Sequence, residues 1–230
     1  MRARGRSTTR HDGRVETDGL LPSEVARFEE VCRFGQERLE PLARTIAASF
    51  ADDPIWKWIY HGGDAALTID QALPFARWLV AEMSSVDEIH GFRHHDAVAL
   101  WHAPLFACNQ EIVAAHAATT TPFVDALGPV LGERLQLIGA LGDAMAQRRP
   151  AEPHWYLGII GTHPDRQGEG LGAELLGSMH ARCDRLGLAC FLESSNPQNY
   201  GFYRRHGYVE AGDFSAAESP RLMAFRREPR

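Results

Sequence analysis

Three glycines carry the first chemical signal in this chain. Gly168, Gly170 and Gly172 alternate where an apolar run from Trp155 to Ile160 gives way, through Gly161-Thr162-His163-Pro164-Asp165-Arg166-Gln167, to a helical pattern. Residues without Cβ let the backbone turn sharply and bring several N–H groups toward one ligand. At the first turn of a helix those donors have no partner within the helix, and the positive end of the macrodipole favours an anion there. The helix is announced by Leu171, Leu175, Leu176, Met179, Cys183 and Leu186 at helical spacing, with Glu174, Arg182 and Arg185 on the outer face. The stretch is therefore expected to cradle a phosphate-bearing molecule.

Two common phosphate loops fit poorly. A nucleoside-triphosphate loop ends in Gly-Lys-Ser/Thr, whereas Leu171-Gly172-Ala173 offers neither cation nor hydroxyl. The dinucleotide fingerprint fits better on paper, because Gly168-x-Gly170-x-x-Ala173 matches and Glu193 lies at about the right distance to hold a ribose. In that fold, however, the first glycine follows its strand almost directly, and here Thr162 to Gln167 intervene. Too little chain remains after Glu193 to complete a doubly wound sheet.

Gln167-x-x-Gly170-x-Gly172 resembles the Gln/Arg-x-x-Gly-x-Gly/Ala signature of the GCN5-related N-acetyltransferases (GNAT). The resemblance continues through Phe191-Leu192-Glu193-Ser194-Ser195-Asn196-Pro197-Gln198-Asn199-Tyr200-Gly201-Phe202-Tyr203-Arg204-Arg205-His206-Gly207-Tyr208, which is similar to that family's fifth strand, following helix and tyrosine motif. Within the family, residues 149–208 most resemble puromycin N-acetyltransferase and related actinobacterial enzymes, and Ala48-Ser49-Phe50-Ala51-Asp52-Asp53-Pro54 is similar to their Ala-Phe-x-x-x-Pro segment. The resemblance implies an α/β (α+β) GNAT fold: a mixed, mostly antiparallel sheet of about six to seven strands flanked by helices and splayed between strands 4 and 5. It implies acetyl-coenzyme A as cofactor, its pyrophosphate held by backbone amides of Arg166, Gln167, Gly168, Glu169, Gly170, Leu171 and Gly172. The splayed strand would add Ile160, Gly161 and Thr162 beside the pantetheine arm, with Asn199 and Tyr203 also against the cofactor.

Acetyl transfer to an amine needs a neutral amine, an oxyanion donor and a proton for the departing thiolate. The resemblance gives the acid role to Tyr203, which lies four residues after Asn199 on one helix face. The base is open among three residues. Glu193 sits near the end of a strand, where partial burial raises a carboxyl pKa. Asp53 stands where the puromycin enzyme has a tyrosine, and could act as base, as an anionic anchor for a cationic acceptor, or as a helix cap. His154 begins the cofactor strand. Among Trp56, Trp58, Trp78 and Trp101, Trp56 is the expected acceptor contact because it adjoins Asp53.

Composition sets the frame. At 230 residues, 44% hydrophobic and 23% charged, the chain reads as one soluble domain, expected over 24–230, with 1–23 as a disordered leader. A net charge of −6 argues against general nucleic-acid binding and is compatible with a cationic amine. No run approaches a membrane span. Cys32, Cys108, Cys183 and Cys190 form no Cys-x-x-Cys pair, so reduced thiols in a cytoplasmic monomer or homodimer are expected. His90, His94 and His95 are read as solvated turn histidines, and no metal is expected. A small-molecule amine is the expected partner. Acetylation of a protein or peptide, and a non-catalytic acyl-coenzyme A-binding regulator, are the alternatives.

The elements that must position these residues follow from periodicity and breakers. Strands are expected at 31–34, 85–92, 97–102, from His154 through the apolar run to Ile160, and at 188–195, 208–214 and 221–227. Helices are expected over 37–50, from Pro54, to about Met83 after a cap at Asp64 or Thr68, in pieces over 104–149, and from Asn196 to Gly207. The 104–149 segment is expected either to help form the acceptor site, as in the puromycin-enzyme-like proteins, or to add a packing layer.

Overall fold

The computed structural model describes residues 32–33, 38–63, 65–86, 88–92, 94–104 and 120–230. The expected leader, Asp64 as a cap and Cys108 lie outside them. Seven strands form one sheet in the order β1-β2-β3-β4-β5-β7-β6: β1 (Cys32–Arg33), β2 (Glu88–Gly91), β3 (Ala97–His102), β4 (His154–Thr162), β5 (Ala189–Ser194), β6 (Val209–Phe214) and β7 (Leu222–Arg227). Every pairing is antiparallel except β4 with β5. The expected mixed, mostly antiparallel sheet is therefore present.

Strand alternation sorts the side chains onto two helical layers. Val98 and Leu100 of β3 face one layer, with α1 (Leu39–Phe50), α2 (Pro54–His61), α3 (Ile69–Val86), α4 (Thr120–Leu131) and α5 (Arg134–Ala146). Ala97, Ala99 and Trp101 face the other, where α6 (Leu171–Leu186) and α7 (Tyr200–Arg205) pack against Trp155, Leu157, Cys190 and Leu192. Most of the leucine stripe read from the sequence is the buried face of α6, with Leu175, Leu176, Met179 and Cys183 fully enclosed, but Leu186 in the last turn is exposed.

Local chemistry explains most boundaries. Thr68 and Gln71 form a reciprocal box at the start of α3: the Gln71 amide donates to Thr68 Oγ1 at 3.2 Å, and the Thr68 amide to Gln71 Oε1 at 2.9 Å. The helix runs to Val86, past the expected end at Met83, and so shortens the strand expected from Ser85. Asn196 caps a 3₁₀ turn, Pro197–Asn199, rather than the α-helix itself. That turn feeds α7, and Gly207 closes it at φ 87°.

One expectation in this part of the molecule needs correction, and another holds. His90 is not a solvated turn histidine; it is buried in β2, its Nε2 3.0 Å from Glu88 Oε2. Its place in the expected strand holds, but that strand is buried on both faces, which puts the ring inside, where a polar partner is needed. Cys183 and Cys190, expected as reduced core thiols, are free and buried with their sulfurs 3.2 Å apart.

β4 is anchored to α1 by a close approach that only glycine permits. A Cβ on Gly161 would stand 2.8 Å from Ser49 Oγ and 2.9 Å from Ser49 Cβ. Gly161→Ala should therefore lower unfolding stability by about 1–3 kcal/mol. Combined with Ser49→Gly, which removes the obstructing atoms, the loss should be clearly less than the sum of the two single effects. Urea unfolding of the four proteins checks this, and strict additivity would refute the contact as the cause.

Candidate active site

The sheet opens where β4 and β5 should continue side by side. Only His154, Trp155 and Tyr156 pair with Ala189, Cys190 and Phe191. Beyond these, β4 keeps its partner β3 as far as Thr162, while β5 keeps β7 as far as Ser194. The register on β3 steps from Leu100↔Ile159 to Trp101↔Leu157, leaving Gly158 as an extra residue. Such a bulge bends and twists its strand, here at the point of divergence. The facing edges of Leu157–Thr162 and Leu192–Ser194 thus carry backbone N–H and C=O groups without a strand opposite, and a cleft of about 260 Å³ lies between them.

At one mouth of the opening stands the glycine loop. Gly168 and Gly170 have φ of 84° and 88°, a region that side chains disfavour, and nothing lies within 4 Å of where their Cβ atoms would stand. Gly170 is the N-cap of α6 and makes no side-chain cap bond. The first-turn amides of a four-turn helix are thereby left open at its positive end. The side chains around the loop hold its shape. Arg166 donates Nε and Nη2 to the two Glu169 oxygens at 2.8 Å and Nη1 to Asp96 at 2.6 Å. Gln167 Nε2 reaches back to the Thr162 carbonyl at 3.3 Å. Arg166 and Glu169 occupy one another, so what they present outward is backbone.

The cleft also gathers the residues expected to move protons. Tyr203 on α7 is buried at 6% exposure and lines it, as does Asn199, whose side chain makes no cap bond. Burial, and secondly the Asp53 carboxylate, hold the Tyr203 hydroxyl above its ordinary range, so it keeps its proton at neutral pH. Asp53 caps α2: its Oδ1 accepts from the amides of Ile55 at 2.9 Å and Trp56 at 3.3 Å. Ser195 Oγ donates to both Asp53 oxygens at 3.2 Å, tying the α2 start to the end of β5. Burial raises the Asp53 pKa against those hydrogen bonds. Cap and cleft wall are one residue here.

Glu193 lies on the same face of β5 as Phe191, across from Tyr156 of β4. Its two oxygens are buried without a hydrogen-bond partner of ordinary geometry. Burial pushes its carboxyl up to about 7, against the opposing pull of the Tyr156 hydroxyl and the Arg149 guanidinium. Arg149 stacks on the Tyr156 ring at 3.7 Å. His154 is placed elsewhere, at the paired end of β4, with Nδ1 2.8 Å from the Glu152 carbonyl and its ring edge-on to Phe191. Trp56 lines the cleft between Phe50 and Phe75, whereas Trp101 is core and Trp58 lies beneath Arg134.

Sequence reasoning missed Tyr156, Gly158 and Ser195. Period-two alternation along β4 separates Trp155 and Leu157 from Tyr156 and Gly158, and would have placed the latter pair on the Glu193 face. Nothing local marks Phe75 or Ile138, which long-range packing brings to the cleft.

Comparison with known proteins agrees with this arrangement. Residues 133–210 match the acetyltransferase (GNAT) domain family. A Corynebacterium glutamicum protein named histone acetyltransferase HPA2 and related acetyltransferase aligns with a TM-score of 0.61 at 21% identity, covering 87% of this chain and 96% of its own. Arylalkylamine N-acetyltransferase 2 from Aedes aegypti aligns at 0.56 with 9% identity, over 87% and 98% of the two chains. An agmatine N-acetyltransferase aligns at 0.55 with 15% identity, over 86% and 98%. The fold is that of the GNAT acetyltransferases.

Glu193 gives stability a readable pH dependence. Its folded pKa lies above the unfolded value, so between about pH 4.5 and 7 the folded state binds more protons and stability falls as pH rises. Glu193→Gln, which stays neutral, should gain up to about 3 kcal/mol over the parent at pH 8 and lose that advantage near pH 4.5. Urea titrations at both values check this, and a pH-independent difference would show that the carboxylate is not desolvated.

Proposed function

We propose that the protein is an N-acetyltransferase that moves an acetyl group from acetyl-coenzyme A to the primary amine of a small molecule by direct attack in a ternary complex. The observation that carries this reading is the divergence of β4 and β5, with the uncapped glycine loop at its mouth and Tyr203, Glu193 and Asp53 facing the gap. The loop suits a pyrophosphate, because Gly168 and Gly170 leave the backbone amides uncovered. Residues 166–172 would hold that group, and Ile160, Gly161, Thr162 and Asn199 would flank the arm along the open edge of β4. When bound, the cofactor supplies an acyl carbon activated as a thioester.

The chain's own residues handle two protons. Glu193 takes the proton from the incoming ammonium, leaving a neutral nitrogen to form the C–N bond, and Tyr203 Oη gives one to the departing sulfur as the C–S bond breaks. A carboxyl near pH 7 and a phenol held protonated suit those directions. Free backbone N–H groups of the bulged strand stand where they can meet a developing oxyanion. Asp53 anchors the acceptor by its charge while fixing α2. The tyrosine present at that position in puromycin-enzyme-like proteins is absent, which argues for an acceptor other than puromycin itself.

The small-amine reading is supported by the α5 wall, which narrows the cleft with Ile138, Leu141 and Met145. Two structural neighbours are named for small amines, agmatine and arylalkylamines, and one for histone, which keeps a protein acceptor as the alternative. The paired reduced thiols of Cys183 and Cys190 favour a cytoplasmic setting.

Calorimetry with acetyl-coenzyme A should show binding, and thiol release should follow addition of an amine. Tyr203→Phe should leave cofactor affinity nearly unchanged and lower kcat by about 10²–10⁴-fold. The parent's kcat/KM should fall below about pH 7 as Glu193 takes up its proton, and Glu193→Gln should lose that limb together with most of the rate. Equal turnover by the parent and both variants would refute the assignment.

A further inference from the structure

Asp53 and Glu193 are the ionisable carboxyls among the described residues that line the cleft, and Ser195, two residues beyond Glu193 and just past the end of β5, donates to both Asp53 oxygens at 3.2 Å. The helices α3 and α5 contribute Phe75, Leu79, Ile138, Leu141 and Met145 to the lining, alongside Trp56 of α2. No Lys, Arg, Asp or Glu of α3 or α5 is among the described residues that line the cleft.

This lining defines what can be held. An ammonium group finds the Asp53 and Glu193 carboxyls and the hydroxyls of Ser195 and Tyr203 in the lining. The rest of the molecule must lie against hydrocarbon and aromatic rings, where apolar surface gains by leaving water and a second charge loses its hydration without a partner. The wall is also held in place. Arg134 at the start of α5 donates Nε to the Ile59 carbonyl at 2.7 Å and Nη2 to the Trp58 carbonyl, fastening α5 to the last turn of α2.

Building on the acetyltransferase reading, we propose that the acceptor is a primary monoamine on a compact apolar body, seated with its nitrogen at the Asp53 and Glu193 side and its body against α3 and α5. Polyamines, guanidino-amines and lysine side chains within peptides are excluded by the same wall, since each brings further charge or backbone polarity onto Ile138, Leu141 and Met145.

The test isolates the second charge. Hexylamine and 1,6-diaminohexane have the same chain and differ by one terminal ammonium; 2-phenylethylamine adds an aromatic body, and a lysine-containing peptide represents the protein acceptor. With acetyl-coenzyme A binding first measured by calorimetry, thiol release should give hexylamine and 2-phenylethylamine a kcat/KM at least about a hundredfold above the diamine and the peptide. Ile138→Glu supplies a partner for the second charge and should bring the two hexyl compounds within about tenfold, at unchanged cofactor affinity. Preference for the diamine or the peptide, or acetylation of none of the four by a cofactor-binding protein, overturns the substrate class while leaving the cofactor assignment standing. An unchanged selectivity ratio in a cofactor-binding Ile138→Glu protein overturns the placement of the apolar body. Failure to bind acetyl-coenzyme A overturns the enzymatic reading itself and this inference with it.

Discussion

Everything at this site depends on two parallel strands that part after three residue pairs. Separation is unfavourable by default, because each unpaired N–H and C=O forfeits a ladder bond. It persists because each strand is bound more firmly on its other side. β4 is held by β3 along its whole outer half and is drawn to α1 where Gly161 meets Ser49. β5 is held by β7, and the residue after it, Ser195, is tied to the cap of α2. The Gly158 bulge supplies the bend between the paired and parted halves. The gap is a consequence of where each strand's other partners lie, and a ligand with its own donors and acceptors can complete the exposed edges.

The same geometry shapes the electrostatics. Side chains at the lip of a parted sheet sit deep, yet the strand that would have satisfied them is missing. Glu193 is the clearest case, with both oxygens buried and no ordinary hydrogen bond. Asp53 differs in kind: two amides and a hydroxyl hold it, and burial still raises its pKa. The two carboxyls are therefore tuned by different balances of the same terms. Tyr203 feels the cost of burial as a phenol that keeps its proton. Burial thus raises both the carboxyl and the phenol that line the cleft, the first into the range where it can exchange a proton near neutral pH and the second to where it stays protonated.

How much of this was legible in the sequence follows from the range of the forces. The glycine loop and α6 are local: backbone conformation at Gly168 and Gly170 and the leucine spacing of one helix decide them, and both appear as read. Tyr203 and Asn199 share a face because they share a helical segment. Asp53 was read as cap, base or anchor; the cap is visible directly, because it depends on two amides within three residues. Its tie to Ser195 spans 142 positions and has no local trace. The solvated reading of His90 failed for the related reason that burial of its strand, beside a Glu88 paired with an α6 arginine, is set by packing distant in sequence. The helical segment before Arg149 stayed ambiguous because an amphipathic helix declares which face it buries and not what lies beneath.

That last ambiguity points to how the labour is divided along the chain. The groups proposed to act on protons and cofactor come mostly from β4 to α7, where spacing is fixed by strand and helix geometry. The proposed acceptor wall comes from α2, α3 and α5, elements that precede β4 and line the cleft largely with apolar side chains. Arg134 ties α5 to α2: its guanidinium satisfies carbonyls in the last turn of α2 and lies 5.6 Å from the Trp58 ring centre. A cation at a helix C-terminus is favoured by the helix dipole and by hydrogen bonds the helix cannot supply itself. The wall can change its side chains without disturbing that clamp, and the clamp lies on the far end of α2 from Asp53. On the proposed reading, acceptor choice is mechanically separable from the chemistry: one end of a short helix carries Asp53, the proposed anchor, and the other is clamped to the helix that contributes Ile138, Leu141 and Met145.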